Sequence, residues 1–313
     1  MAHRQLPGNL CARTRSAGLS LVELMVAIAI GLLILTGMLL AYNSGSATTR
    51  TSARYAEVQT NGRYAIDFLR REIQHAGYLA YSTGFVVTGG LEANDYGCGT
   101  GFVTNLAQWI WGSNEAMGLG CIDATDYASN SDVLVLRRAG LTPATGNLAA
   151  NTLYARTEFK QAQLFVGTTA PDYQQAPFED YPVSVSVYYV SPNTSGSDGI
   201  PALKRMTLAT GATAPAMSAG TVIASGVENM QVQYGVLASG SIRYYDAQNV
   251  PNWTQVVGVR LWLLVRSSDQ EYGGYATSPV VPTMGDHTPT SNPLTLASNY
   301  VYDVFPLVVN LRK

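Results

Sequence analysis

The stretch that decides the fold is residues 16–42, SAGLSLVELMVAIAIGLLILTGMLLAY, in which Glu23 is the only charged residue. The apolar run from Leu19 to Tyr42 would span about 36 Å as a helix. The hydrocarbon core of a bilayer is about 30 Å thick, so this helix is long enough to cross a membrane. Residues 1–18 contain three arginines and no acidic residue. We therefore expect a cytoplasmic N-terminus, with the chain after about residue 43 outside the cytoplasm.

Two ordinary interpretations of this segment leave something unexplained. A secretory signal peptide has an apolar region of about 7–15 residues followed by a small-residue cleavage site. Gly45-Ser46-Ala47 could serve as that site, but the apolar run before it is too long. A plain signal anchor has the right length but gives no reason for Glu23, since a charge inside a membrane is costly and usually functional.

A third interpretation accounts for the carboxylate. Residues 16–24, SAGLSLVEL, resemble the type III signal of type IV prepilins and of type II secretion pseudopilins. The resemblance implies that a membrane aspartyl peptidase, the prepilin peptidase, cuts between Gly18 and Leu19 and then methylates the new N-terminus on Leu19. Leu19 stands where Phe is more usual in that family.

The resemblance also implies an assembly role for Glu23, which becomes the fifth residue of the mature chain. An unpaired carboxylate among the packed helices of a filament would cost several kcal/mol. The N-terminal amine of a neighbouring subunit can offset that cost and set the axial register of an added subunit. The alternative is a Glu side chain that reaches the lipid headgroups. Gly31 and Gly37 are candidate points of local melting or close packing, or simply the glycines common in membrane helices.

A polar segment, residues 43–54, follows the apolar run, and its composition predicts a soft joint in the helix. A helical pattern with spacings of three and four then resumes. Its members are Tyr64, Ala65, Phe68, Leu69, Glu72, Ile73 and Ala76. Gly77 is a plausible C-cap, and His75 is expected to be an ordinary residue of the helix end. The amphipathic stripe of this second half requires a partner, and a β-sheet downstream is the obvious one.

Alternation with period two dominates after residue 130 and predicts strands there. The predicted strands are 132–137, 183–190, 203–208, 227–236, 241–245, 257–265 and 300–311. Pro306 interrupts the last strand, which suits an edge strand or a bulge. Residues 78–131 are Gly-rich and expected to be irregular, and residues 193–198 and 283–292 are expected to be surface loops.

Several patches in the rest of the chain resemble PilW-type minor pilins of the type IV pilus. They are LRREIQHAGY (69–78), SDVL (131–134), GVENMQVQYG (226–235), the residues around Trp253 to Arg260, and VNLR (309–312). Relatives carry an acidic, Gly-rich turn after the third patch, whereas residues 236–240 contain no acid, so no calcium-type site is expected there. The resemblance implies an α+β, type IV pilin-like fold. In that fold a long N-terminal helix packs on an antiparallel β-sheet domain with loop insertions.

The expected organisation follows from these resemblances. Residues 1–18 form the prepilin leader peptide, 19–42 the transmembrane and assembly helix, 43–77 its amphipathic second half, and 78–313 the extracytoplasmic β-rich domain. The family implies a single pass through the inner membrane with a periplasmic C-terminal domain, and later a place at the pilus tip on the cell surface. Its implied partners are the prepilin peptidase, other minor pilins and the major pilin through the helix, and a PilY-type tip adhesin.

Two alternative functions stay open. A J-type minor pseudopilin of a type II secretion system would share the fold and the processing. The length of the chain and the patch GVENMQVQYG favour the pilus over that alternative. A membrane-tethered adhesin or carbohydrate-binding protein could use Trp109, Trp111 and the Tyr-rich loops, although such aromatic residues more often belong to a core or a subunit interface.

The cysteines point to a disulfide. Cys11 leaves with the leader, so the mature chain has only Cys98 and Cys121, both in the extracytoplasmic domain. Because that compartment is oxidising, we expect the two to pair. The loop that they close would be stabilised by about 3 kcal/mol in the chain-entropy model.

Composition and motifs weigh against other classes. The net charge is −2, and 13% of residues are charged, so direct nucleic-acid binding is not expected. The chain has three His and no nucleotide-binding, hydrolase or zinc-protease motif. Asp123 and Asp126 lie near Cys121, but such a pair is usually a solvated turn. We therefore expect no enzyme activity, no cofactor and no metal site.

Overall fold

The computed structural model describes residues 18, 20–80, 87–88, 97–99, 101–102, 108–158, 161–168, 171, 177–209, 216–238, 240–271, 282–288 and 294–311. The chain divides into two compact units, Met1–Ser52 and Ala53–Lys313. In element order, one long helix is followed by strands, which gives the α+β class.

Helix α1 (Leu21–Gln74) includes the polar segment 43–54, which was predicted to be a soft joint. The segment is helical, and two of its hydroxyl groups bond back to the preceding turn, which satisfies these groups but does not itself favour a helix. Thr48 Oγ1 donates to the Ser44 carbonyl and Thr49 Oγ1 to the Gly45 carbonyl, each at 3.0 Å. The poor helix propensity of these residues does not interrupt α1.

The second half of α1 carries the expected apolar stripe, with one difference. Its buried residues are Val58, Gly62, Ala65, Ile66, Leu69 and Ile73. Tyr64 was predicted to belong to the stripe but is 53% exposed, because the buried face passes through Ala65 and Ile66. Gly77 follows the helix with φ +77°, the left-handed conformation that was expected after the helix end. Its N–H donates to the Arg137 carbonyl at 2.9 Å.

Thirteen strands follow α1 among the residues that the structure describes. They are β1 (Val87–Thr88), β2 (Ile110–Ser113), β3 (Val133–Ala139), β4 (Leu153–Thr157), β5 (Ala162–Val166), β6 (Glu179–Ser191), β7 (Ala202–Ala209), β8 (Ala216–Met217), β9 (Thr221–Ser225), β10 (Val227–Ala238), β11 (Ser241–Asp246), β12 (Val256–Arg266) and β13 (Tyr302–Asn310). Each of the seven predicted strands is present with slightly different ends. The short strands β1, β2, β4, β5, β8 and β9 were not predicted.

The strands form two sheets. The first has the order β1-β5-β4-β6-β3-β2, and β7 pairs with β6 and carries β8 and β9. All its pairs are antiparallel except β1 with β5. The second sheet has the antiparallel order β11-β10-β12-β13. Pro306 lies opposite Trp262 in β13, the edge strand of that sheet, where a missing N–H is tolerated.

The core is arranged around β3, whose faces are both buried. Leu134 and Leu136 join the stripe of α1 and the inner faces of β10, β12 and β13 in one cluster. Val133 and Val135 belong to a second cluster under the segment that contains Cys98 and Cys121. A strand buried on both sides is apolar along its whole length, which explains the sequence VLVL at 133–136.

The close approach of α1 to β13 explains one glycine. A Cβ atom added to Gly62 would overlap the ring of Phe305, so the helix can lie at this distance only without a side chain there. Residues 283–292 were expected to form a surface loop, but the structure buries two of them. Met284 and His287 are 0% and 1% exposed, and residues 289–293 lie outside the described part.

Candidate functional site

The start of α1 carries a reciprocal pair of hydrogen bonds. Ser20 N donates to Glu23 Oε2 at 3.0 Å, and Glu23 N donates to Ser20 Oγ at 3.2 Å. Leu24 N donates to the Ser20 carbonyl at 3.1 Å, the first hydrogen bond of the helix. Ser20 is therefore the N-cap and Glu23 the third helical residue of a capping box. The acidic side chain also lies at the positive end of the helix dipole.

This arrangement gives Glu23 a local task that the sequence analysis missed. The signal was present, because Ser20-Leu21-Val22-Glu23 has the Ser-x-x-Glu spacing of a capping box. Both bonds are exposed to solvent. The carboxylate can therefore hold its own helix start and still have acceptor positions for a second donor.

The apolar part of α1 has no partner within the described chain. Its large side chains from Leu21 to Tyr42 are all at least half exposed, and Leu21 and Leu33 are 74% exposed. The helix is long and apolar enough to cross a membrane: its most apolar stretch has a mean hydropathy of 2.7, and none of that stretch is buried. Exposed apolar surface on this scale marks a membrane or protein contact.

The glycines of this region are not required by contacts within the chain. Within the described residues, a Cβ atom on Gly18, Gly31 or Gly37 would meet no atom within 4 Å. Leu19, the predicted methylated residue, lies outside the described residues.

The two cysteines among the described residues are joined. Cys98 and Cys121 form a disulfide with their Cα atoms 5.2 Å apart, a normal separation for such a bond. Cys98 is 3% exposed and belongs to the second core cluster. The disulfide therefore fastens the segment after α1 to the first sheet.

The two acids near Cys121 have structural partners. Asp123 caps a short 3₁₀ helix (Ala124–Asp126) and accepts from Thr125 N at 2.8 Å. Bonds from Thr125 lower the pKa of Asp123. Asp126 accepts from Lys204 Nζ at 2.6 Å, and also from Tyr189 and Ser191.

Burial acts to raise the pKa of Asp126, but these three bonds outweigh it and leave the pKa lowered. The expectation of a merely solvated pair was therefore wrong for Asp126, because its partners lie on β6 and β7, far away in sequence.

The aromatic residues considered for ligand binding are mostly engaged in packing. Trp109 is 7% exposed and belongs to the main cluster. The Trp111 and Trp253 rings lie 6.3 Å apart, and Tyr234 packs edge-on against Trp253 at 4.7 Å. These aromatic residues therefore pack in the core, as expected if they do not form a carbohydrate-binding surface.

Comparisons with known proteins agree with the geometry of α1 and of the sheets. The family model "Type IV Pilus-assembly protein W" (PilW) matches residues 187–313, and the model "Prokaryotic N-terminal methylation motif" matches residues 13–39. No curated protein matches. Among solved structures, a type IV-like pilin from Thermus thermophilus, TTHA1219, is similar at 14% identity and a TM-score of 0.37. The match covers 82% of this chain and 96% of that one.

The two family matches fall on the regions that the structure makes distinctive. The methylation motif covers the capping box and most of the exposed apolar helix. The PilW match begins within β6 and covers β7 to β13, including the whole second sheet. These two matches support the interpretation of the chain as a type IV pilin-like protein of the PilW family.

Proposed function

We propose that this chain is a minor pilin that primes assembly of the type IV pilus and then stays in the tip complex. The observation that carries the proposal is the wholly exposed apolar helix with a single carboxylate at its start, on a chain of the PilW family. A helix of this kind can exchange a lipid environment for a bundle of similar helices. The family favours a structural role over an enzymatic one.

Processing precedes assembly in this proposal. The chain is inserted in the inner membrane with its N-terminus in the cytoplasm and residues 78–313 in the periplasm, in line with its basic leader. The prepilin peptidase removes residues 1–18 by cutting between Gly18 and Leu19, and Leu19 is methylated. A Cβ atom at Gly18 would meet no described residue within 4 Å, and we expect Gly18→Ala to be cleaved poorly because the peptidase has little room beside the scissile bond.

Assembly uses the helix from residue 19 to 42 and its continuation to residue 77. In the filament, Glu23 accepts a hydrogen bond from the N-terminal amine of a neighbouring pilin. That amine is charged, and a bond between charged groups is worth about 1.5–3 kcal/mol. The other minor pilins and the major pilin contact the apolar face, where Gly31 and Gly37 permit close approach. The β-rich domain faces the PilY-type adhesin.

A deletion experiment and a co-purification experiment together test this role. Deletion of the chain should reduce surface fibres while secretion of type II substrates continues at the normal level. The full-length chain, solubilised in detergent, should co-purify with minor pilins and a PilY-type protein. Normal fibre number together with a secretion defect would assign the chain to the pseudopilus instead.

A further inference from the structure

Three possible metal ligands from distant parts of the sequence meet at one end of the first sheet. They are Glu115, just after β2, and Asp286 and His287, in the turn between β12 and β13. Their ligand atoms all lie within 4.8 Å of one another. Glu115 Oε1 is 3.1 Å from His287 Nε2. Two ligands of a tetrahedral ion at about 2.1 Å would be about 3.4 Å apart, so this pair is already close to the required separation.

A buried amide gives a second, independent indication of a ligand. Gln231 is 1% exposed, and its Oε1 accepts no hydrogen bond within the described residues. This oxygen lies 3.8 Å from the position of a Cβ on Gly285, the residue before Asp286. A buried acceptor without a donor is costly, and it is most often explained by water or an ion.

The orientation of that amide is fixed by its nitrogen. Gln231 Nε2 donates to the Asn130 carbonyl at 3.0 Å and to Asn229 Oδ1 at 2.8 Å. Because both donors are used, exchanging the nitrogen and the oxygen would lose two hydrogen bonds. The oxygen is thus held toward the turn that carries Asp286.

A neighbouring amide orients the Asp286 carboxylate, as such groups do around metal ions. Asn114 Nδ2 donates to Asp286 Oδ2 at 3.1 Å, and Asp286 Oδ1 accepts no hydrogen bond within the described part of the chain. Such a second contact fixes a ligating group and is a usual part of metal sites. Glu115 N donates to Asp132 Oδ1 at 2.9 Å, which holds the backbone of Glu115 in place.

We propose that Glu115, Asp286 and His287 bind a divalent transition-metal ion of the Zn²⁺ type, which fastens the turn at 284–287 to the end of β2. The imidazole decides the class, because Ca²⁺ and Mg²⁺ take oxygen ligands while Zn²⁺ accepts nitrogen and carboxylate oxygen together. The oxygen of Gln231 or a water completes the coordination. The expectation of no metal rested on scarce histidine, yet His287 is one of only three in the chain.

The test is titration of ZnCl₂ into the full chain in detergent after chelator treatment, followed by calorimetry. We expect one saturable site per chain and a rise in melting temperature. Asp286→Asn and Glu115→Gln keep the size of the side chains and should each weaken binding at least tenfold. His287→Ala should abolish the site, and the two conservative variants keep the test valid if that buried change unfolds the chain.

His75→Ala is the matched control, because His75 is the other histidine of the mature chain and bonds only within the helix end, to the Arg71 carbonyl. This variant should bind Zn²⁺ as the wild type does. Absence of a saturable site in the folded wild type would overturn the proposal. So would equal binding by wild type, Asp286→Asn and Glu115→Gln, or binding of CaCl₂ in preference to ZnCl₂.

Discussion

The hydrogen bonds at the start of α1 allow the two roles of Glu23 to be separated by substitution. Glu23→Gln keeps an acceptor for Ser20 N and therefore keeps the capping box, which accepts Glu or Gln, but it loses the charge. Ser20→Ala removes the hydroxyl that accepts from Glu23 N and leaves the carboxylate in place. Glu23→Ala removes both the acceptor for Ser20 N and the charge.

The sizes of the two effects differ enough to be measured. Loss of an N-cap costs about 1 kcal/mol, but the helix start is present in the membrane and in the filament, so most of that cost cancels. Loss of a bond between charged groups costs about 1.5–3 kcal/mol in the filament alone, which is about 10- to 150-fold in incorporation. Ser20→Ala should thus incorporate within about threefold of wild type, by the same conversion of 1.4 kcal/mol per tenfold.

The assay is the fraction of the chain found in sheared surface fibres relative to the total, measured by quantitative mass spectrometry. The same samples show whether each variant was inserted and cleaved, which we expect for all three. Glu23→Gln and Glu23→Ala should fall together while Ser20→Ala stays high. If Glu23→Gln equals wild type while Ser20→Ala and Glu23→Ala are both poor, Glu23 acts as a cap and the docking role is wrong.

Three further substitutions test the packing of residues 53–313 by chemical denaturation of the full chain. Gly62→Ala should destabilise it by at least about 1–3 kcal/mol, because the new Cβ overlaps the Phe305 ring, and the added change Phe305→Leu should recover part of the loss. Cys98→Ser should cost about 3 kcal/mol in oxidising buffer and nothing relative to wild type in reductant; an equal difference in both buffers would contradict this. Asp126→Asn should lower the free energy of unfolding by about 2 kcal/mol at pH 7, because it leaves the Lys204 ammonium without its carboxylate. The loss is smaller than for a fully buried pair because the Asp126 side chain is 29% exposed. The lowered pKa of Asp126 means that its contribution is present above about pH 3.9 and is lost as the pH falls through the lowered value, so wild type and variant should converge in acid.

The long strands were predictable because their information is local. Val183, Val185 and Val187 alternate with serines in β6, and β12 has an aliphatic residue at every second position from Val257 to Val265. β4 and β5 have five residues each, too few to establish a period, and their pairing with each other and with β6 decides their conformation.

The candidate sites differ in the same way. The N-terminal motif, including the capping box, is contained within residues 16–24, so most of it could be predicted from the sequence alone. The cluster of Glu115 and His287 joins residues more than 170 positions apart, and no spacing rule connects them. The burial of His287 depends on the packing of Met284 against Leu264 and Leu294 on the outer face of the second sheet, which no local pattern around residue 284 reveals.

The most direct test of the central claim is the intact mass of this chain recovered from sheared surface fibres. The account predicts a chain that lacks residues 1–18, begins at Leu19 and carries one additional methyl group. A chain that begins at Met1 or just after Ala47 would contradict the processing site. A correctly processed chain that is found in the inner membrane and never in fibres would contradict the role in the pilus.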